Sequence, residues 1–150
     1  MLRSNRWTDD EGSAAIEFIG LGLLLLVPVV YLVVAMAAIQ GAALAVEGAA
    51  RQAARVFVQG ADVRDAQAAA SRAIMFALAD HSVTADSSRV SVVCAPAPEN
   101  CLTRRGFVTI TLELTVPLPL APAFLGDAFP LTIPLAATAT QQVSRFAGAG

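Results

Sequence analysis

The first third of the chain is dominated by one long uncharged segment. No side chain between Glu17 and Glu47 carries a charge, and the 22 residues of positions 18–39 also include no Asn, Gln, Ser or Thr. That length exceeds the roughly 20 residues with which a helix crosses a hydrocarbon core. The pattern therefore predicts a transmembrane helix. Pro28 predicts a kink near its middle, because proline removes one helical hydrogen bond and clashes with the preceding turn.

Beyond this span the pattern becomes that of a helix with one charged face. Glu47, Arg51 and Arg55 recur at four-residue spacing, and Gly60 provides a stop signal. The helix is therefore expected to continue to about residue 58.

Small residues recur along the same helix at a spacing that lets a second helix approach closely. They are Ala37, Gly41, Ala45 and Ala49. Two interpretations stay open: the stripe is a packing seam for a partner helix, or it only reflects the abundance of alanine in the chain.

The remaining residues predict a second helix followed by a small sheet. Asp62 has the character of an N-cap, and an apolar stripe then continues at helical spacing to about residue 80. The stripe consists of Val63, Ala66, Ala70, Ile74 and Ala77. Strand patterns follow at residues 89–94, 107–116 and 131–140, and Pro134 favours an edge position for the last. The predicted fold class is α+β, with a long N-terminal transmembrane helix continuing outward, a second amphipathic helix and an antiparallel sheet of about three strands.

The two cysteines flank a turn-rich loop between two predicted strands. Cys94 and Cys101 enclose the sequence Ala-Pro-Ala-Pro-Glu-Asn, which suits a disulfide that closes a hairpin loop and would indicate an oxidising compartment. The alternatives are two free thiols or a two-ligand metal site. Zinc is disfavoured, because the chain has one histidine, His81, and no second cysteine pair.

Composition limits the remaining possibilities. With 150 residues, 56% of them hydrophobic, and a formal net charge of −2, the chain has room for one modest domain beside a membrane segment. Its ten basic residues are all arginine and are scattered among acids, a pattern that disfavours nucleic-acid binding. No nucleophile has a histidine partner at a recognisable spacing, and neither a phosphate loop nor a metal-ligand cluster is visible. We therefore expect no enzymatic activity, no cofactor and no metal.

One carboxylate, that of Glu17, lies within the otherwise apolar predicted transmembrane helix. It occurs in the order Asp10-Glu11-Gly12-Ser13-Ala14-Ala15-Ile16-Glu17-Phe18. An ionised side chain near bilayer depth costs roughly 2.5–3.5 kcal/mol, so Glu17 should have a task. This order resembles the prepilin-type leader of TadE-like pseudopilins (TadE/TadF), which serve the tight-adherence or Flp-type pilus. Residues 49–55 also resemble the Ala/Arg-rich juxtamembrane segment of that family. The less specific interpretation is that Glu17 only marks the interfacial start of a transmembrane helix.

The resemblance implies a processing site and a role in assembly. A prepilin peptidase on the cytoplasmic face would cut after Gly12, leaving Ser13 as the mature N-terminus. Glu17, followed by Phe18, would then be the fifth residue and would meet the terminal ammonium of a neighbouring subunit. A carboxylate in the first turn also lies at the positive end of the helix dipole.

The same resemblance implies an organisation and a set of partners. Residues 1–12 would be the leader, residues 13–60 the transmembrane and juxtamembrane helix, and residues 61–150 a small extracytoplasmic α+β domain in a pilin-like order. The implied partners are prepilin peptidase, other pilins or pseudopilins and the lipid bilayer. The chain would cross the bacterial cytoplasmic membrane once with its N-terminus inside, and could enter the pilus. The alternative is a membrane-tethered extracytoplasmic binding module without leader cleavage.

Overall fold

The computed structural model describes residues 10–84, 88–119 and 132–147. Its elements are, in chain order, α1 (Asp10–Phe57), α2 (Val63–Ala79), β1 (Arg89–Ala95), β2 (Phe107–Pro117) and β3 (Thr132–Gln142). The predicted α+β class is confirmed: a long apolar N-terminal helix and a second helix precede a three-stranded antiparallel sheet. Leu131, the predicted first residue of the third strand, lies outside the described residues.

The chain divides into two compact units, Met1–Ala37 and Ala38–Gly150. In the first unit, every described side chain of residues 14–34 is exposed, although nearly all of them are apolar. Pro28 lies within α1, which continues on both sides of it. The kink expected there stays a prediction.

The part of α1 that belongs to the second unit has one fully buried face. Its members are mostly small and recur at three- and four-residue spacing, as the inward face of an amphipathic helix does. They are Ala45, Val46, Ala49, Ala50, Ala53, Ala54 and Phe57. The opposite face carries Glu47, Arg51 and Arg55, all exposed, and Arg51 pairs with Glu47 one helical turn away.

Two of the four residues in the small-residue stripe belong to this buried face. Ala45 and Ala49 pack into the hydrophobic core of the second unit, whereas Ala37 is exposed. A seam for a partner helix that runs through Ala45 and Ala49 is therefore wrong, because the chain's own domain already covers these two positions. Alanine here permits close packing within the domain.

The turn between the two helices depends on Gly60 and Asp62, the predicted stop of α1 and the predicted N-cap of α2. A Cβ atom added at Gly60 would lie 2.6 Å from the Cβ of Ala66, so no side chain fits there. Asp62 caps α2: its side chain accepts a hydrogen bond of 2.8 Å from the backbone N–H of Asp65. This bond satisfies one of the donors that every helix N-terminus leaves unpaired.

Helix α2 ends in a paired hydrogen-bond motif. The N–H of Val83 donates to the carbonyl of Leu78 at 3.0 Å, and the N–H of Ser82 donates to that of Ala79 at 2.9 Å. Ser82 adopts a left-handed conformation with φ of 56°, as the residue after a helix commonly does in this motif. Val83 is thereby placed against the core that contains Leu78.

The buried face of α2 differs in part from the predicted stripe. Ala66, Ala70 and Ile74 are buried as predicted, but Val63 is 36% exposed and Leu78, which the prediction omitted, is fully buried. Ala77 is only partly buried against the core. At about 100° per residue, Val63 points in a direction between those of Ala70 and Ile74. It is the first residue of α2, so its exposure comes from its place at the end of the helix and not from the direction of the buried face.

Strand β2 is the centre of the sheet, in the order β1-β2-β3. Val108, Ile110, Leu112 and Leu114 are buried on the face that joins the core. On the other face two threonine pairs join β2 to β3: Thr109 and Thr140 with 2.8 Å between their Oγ1 atoms, and Thr111 and Thr138 with 3.0 Å. The predicted division into a buried face and a polar face is confirmed, and so is the edge position of β3, which contains Pro134.

Candidate functional site

The predicted cleavage site lies in the first turn of α1. The helix begins at Asp10, so both Gly12 and Ser13 have helical backbone. The first four N–H groups of a helix have no intrahelical partner, and glycine is about 1 kcal/mol less favourable than alanine in a helix. Residues 10–13 are therefore held by fewer backbone hydrogen bonds than the interior of α1.

Glu17 follows one turn later and has no partner among the described residues. Its side chain is exposed and is the only charged one in the described segment 14–46. No hydrogen bond or ion pair joins it to another described residue. Phe18 beside it is 78% exposed. A cation that neutralises Glu17 must therefore come from outside the described part of the chain.

The helix that carries Glu17 has the length and composition of a membrane span. It is the one helix among the described residues that is long and apolar enough to cross a membrane, and almost none of its most apolar window is buried. The core helix of a water-soluble protein would be largely buried instead. By length and composition the chain is therefore a candidate single-pass membrane protein.

Comparison with known proteins does not assign a family. No family model matches the chain, and neither does any curated protein or any solved structure. A functional interpretation consequently depends on the chemistry of the N-terminal motif and on the properties of the two units.

The disulfide predicted from the loop sequence is present. Cys94 and Cys101 are bonded, with 5.0 Å between their Cα atoms, and neither is free. Cys94 lies in the core at the end of β1, so the bond fastens the loop to the folded body. Within the loop, the hydroxyl of Thr103 donates to the carbonyl of Asn100 at 2.7 Å.

The described residues contain no group of three or more His, Cys, Asp or Glu side chains placed to hold a metal ion. His81 lies exposed in the turn after α2.

At one end of the sheet Arg89 faces Glu113 across the β1–β2 pair, with 3.7 Å between guanidinium nitrogen and carboxylate oxygen. Both side chains are largely exposed, so this is a surface pair.

The opposite end of the sheet gathers arginines that are scattered along the sequence. Strand pairing places Phe107 opposite Gln142, which brings the end of the β1–β2 loop beside the segment that follows β3. Arg104, Arg105 and Arg145 thereby lie at the same end, about 40 positions apart in the chain. We call residues 104–106 and 143–147 the arginine end. No local spacing could have revealed it, because its members meet only through the register of β2 and β3.

Proposed function

We propose that this chain is a TadE-like minor pseudopilin, a structural or assembly component of a Flp-type pilus. It is inserted in the bacterial cytoplasmic membrane and processed by prepilin peptidase after Gly12. The observation that carries the proposal is the setting of Glu17: one carboxylate with no partner among the described residues, five residues past Gly12, in a helix whose described side chains are exposed and almost all apolar up to residue 34.

Cleavage would create the cation that Glu17 lacks. Cutting the Gly12–Ser13 bond leaves a terminal ammonium on Ser13, and a helix N-terminus favours a nearby carboxylate. In an assembly of such helices, the ammonium of one subunit and Glu17 of the next form a pair within an apolar environment. A buried charge without its partner is strongly destabilising, so this pair would also fix how far one helix is shifted along the next.

The second unit would then be the part presented outside the cytoplasm. Its disulfide supports this topology, because disulfides persist in extracytoplasmic compartments and are rare in the reducing cytosol. With the C-terminal unit outside and a single span, the N-terminus lies in the cytoplasm, where the peptidase acts. The exposed apolar residues of the first unit remain in lipid until they pack against other pilin helices.

The test is the N-terminus of the protein extracted from its native membrane. We expect a chain that begins at Ser13 in cells with the peptidase and at Met1 in cells without it. Gly12→Leu should remain uncut, because the peptidase must fit the backbone beside the scissile bond. Gly20→Leu is the matched control, since a Cβ at Gly20 meets no atom within 4 Å, and it should be cut normally.

The competing account, a membrane-tethered binding module, predicts the opposite result. Such a module keeps its first twelve residues in every strain and is indifferent to Gly12→Leu. Wild-type protein that begins at Met1 in the presence of the peptidase would therefore exclude the pseudopilin and leave the tethered module.

A further inference from the structure

The arginine end is held together by hydrogen bonds between its two segments. Nε of Arg104 donates to the carbonyl of Ala147 at 2.8 Å, and the N–H of Arg105 donates to the carbonyl of Val143 at 3.2 Å. In the reverse direction, the N–H of Val143 donates to the carbonyl of Gly106 at 2.8 Å. The backbone of the segment after β3 is therefore fixed beside the loop.

Arg105 is held in an unusual backbone conformation. Its φ is 61°, in the left-handed region that side chains other than those of Gly, Asn and Asp rarely enter. Position 106 requires glycine, because a Cβ there would lie 2.9 Å from the carbonyl oxygen of Thr103. Residues kept in such conformations cluster at functional sites. Here the strained position displays an exposed guanidinium.

Two arginines of this end carry positive charge that no described acid neutralises. Arg105 and Arg145 are both exposed, and neither forms an ion pair with a described acid. The one acidic side chain in the described loop between β1 and β2, or in the segment after β3, is Glu99. Guanidinium groups bind phosphate oxygens through two parallel hydrogen bonds, so this end is chemically suited to phosphate.

Exposed aromatic rings accompany the arginines. Phe146 is 70% exposed, with the guanidinium of Arg145 4.7 Å from its ring centre, and Phe107 at the start of β2 is 47% exposed. An inorganic polyanion such as polyphosphate offers such rings nothing to contact. The surface of a bilayer offers phosphates to the arginines and an apolar boundary to the rings, which is the combination that interfacial segments use.

We propose that the arginine end binds the phosphate groups of an anionic bilayer surface, with Arg105 and Arg145 at the phosphates and Phe146 inserted at the apolar boundary. This surface is separate from the Gly12 and Glu17 motif, so the proposal depends on neither leader cleavage nor pilus assembly.

The test uses the full chain held in nanodiscs of phosphatidylcholine and measures its capture by floating vesicles. Vesicles of equal parts phosphatidylglycerol and phosphatidylcholine should capture it, and pure phosphatidylcholine vesicles should not. Arg105→Gln and Arg145→Gln should each weaken capture about fivefold, in line with the typical contribution of one arginine near an anionic surface. Arg72→Gln, an equal charge change at an exposed position of α2, should leave capture unchanged.

Two further measurements distinguish binding to a bilayer from binding to other anions. Phe146→Ser should weaken capture by the anionic vesicles and leave binding of soluble polyphosphate unchanged. Tight binding of polyphosphate with no capture by vesicles would overturn the bilayer as the source of phosphate. Equal losses for Arg72→Gln and Arg105→Gln would overturn the site itself, because net charge would then explain the binding. An unchanged β2 amide exchange profile establishes that each variant is folded.

Discussion

The two parts of helix α1 differ in what surrounds their apolar side chains. Residues 14–34 are exposed on all sides, whereas residues 45–57 bury one face and expose Glu47, Arg51 and Arg55 on the other. A helix that is apolar all round belongs in lipid or inside a large assembly, and a helix with one apolar stripe belongs on the core of a folded domain. One continuous helix therefore has two kinds of surface, one apolar on all sides and one apolar on a single face.

The difference extends to how each unit is stabilised. The second unit has its own hydrophobic core, contributed by both helices and the sheet, together with a disulfide. The described residues of the first unit contain only α1, and no described residue covers its side chains from residue 14 to 34. Substitutions of the same kind should thus destabilise the second unit strongly when made there and hardly at all when made in the first.

Two phenylalanines of α1 allow the most direct comparison of the two units. Phe57 is fully buried and Phe18 is 78% exposed, both in α1. Phe57→Ala should lower the free energy of unfolding of the second unit by about 3–5 kcal/mol, because it removes a large buried ring and leaves a cavity. Phe18→Ala should change it by less than about 0.5 kcal/mol. Amide hydrogen exchange of β2 in the detergent-solubilised full chain measures both; equal effects would remove the distinction between the units.

The disulfide provides a smaller effect, confined to the second unit. Cys94→Ser combined with Cys101→Ser should destabilise that unit by about 2–3 kcal/mol, the range expected for opening so short a loop. The same exchange measurement on β2 detects it. Alkylation of the native protein without prior reduction should label neither thiol. Free labelling of both in protein from its own compartment would contradict the disulfide and the extracytoplasmic topology that it supports.

Alanine positions give the smallest and most discriminating effect. Ala49→Leu should destabilise the second unit by about 1–3 kcal/mol, since Ala49 is fully buried and extra carbon atoms have no space there. Ala37→Leu, at an exposed position of the same stripe, should leave exchange in β2 unchanged. If Ala49→Leu were instead neutral for β2 exchange but reduced binding to other subunits, a partner seam at this position would be restored.

Much of the fold could be predicted because its signals are local. Strand β2 alternates apolar residues with threonine or glutamate over the nine positions 108–116, and only a strand with one buried face fits that pattern. Asp62 needs only its hydrogen bond to the N–H of Asp65 to cap a helix, so its role is visible in a few residues. The disulfide likewise follows from a short turn-rich loop.

Other features could not be predicted because they depend on distant residues. Alanine is equally compatible with lipid, a partner helix and a core, so the burial of Ala45 and Ala49 is decided by what the rest of the domain places against them. Val63 and Leu78 both lie on the buried face of α2, at its two ends, so which of them is covered depends on what the rest of the domain places against each end. Arg105 and Arg145 come together only through the register of β2 and β3.

The central claim is that Glu17 acts in assembly, and a matched pair of carboxylates in α1 tests it. Glu17→Gln should insert in the membrane and be cut after Gly12, yet lose incorporation into pili and co-purification with other pilus subunits, because a buried ammonium then lacks its anion. Glu47→Gln, at an exposed position of the second unit, should assemble as the wild type does. At matched membrane levels, equal pilus counts and equal co-purification for Glu17→Gln and the wild type would contradict the assembly role of Glu17.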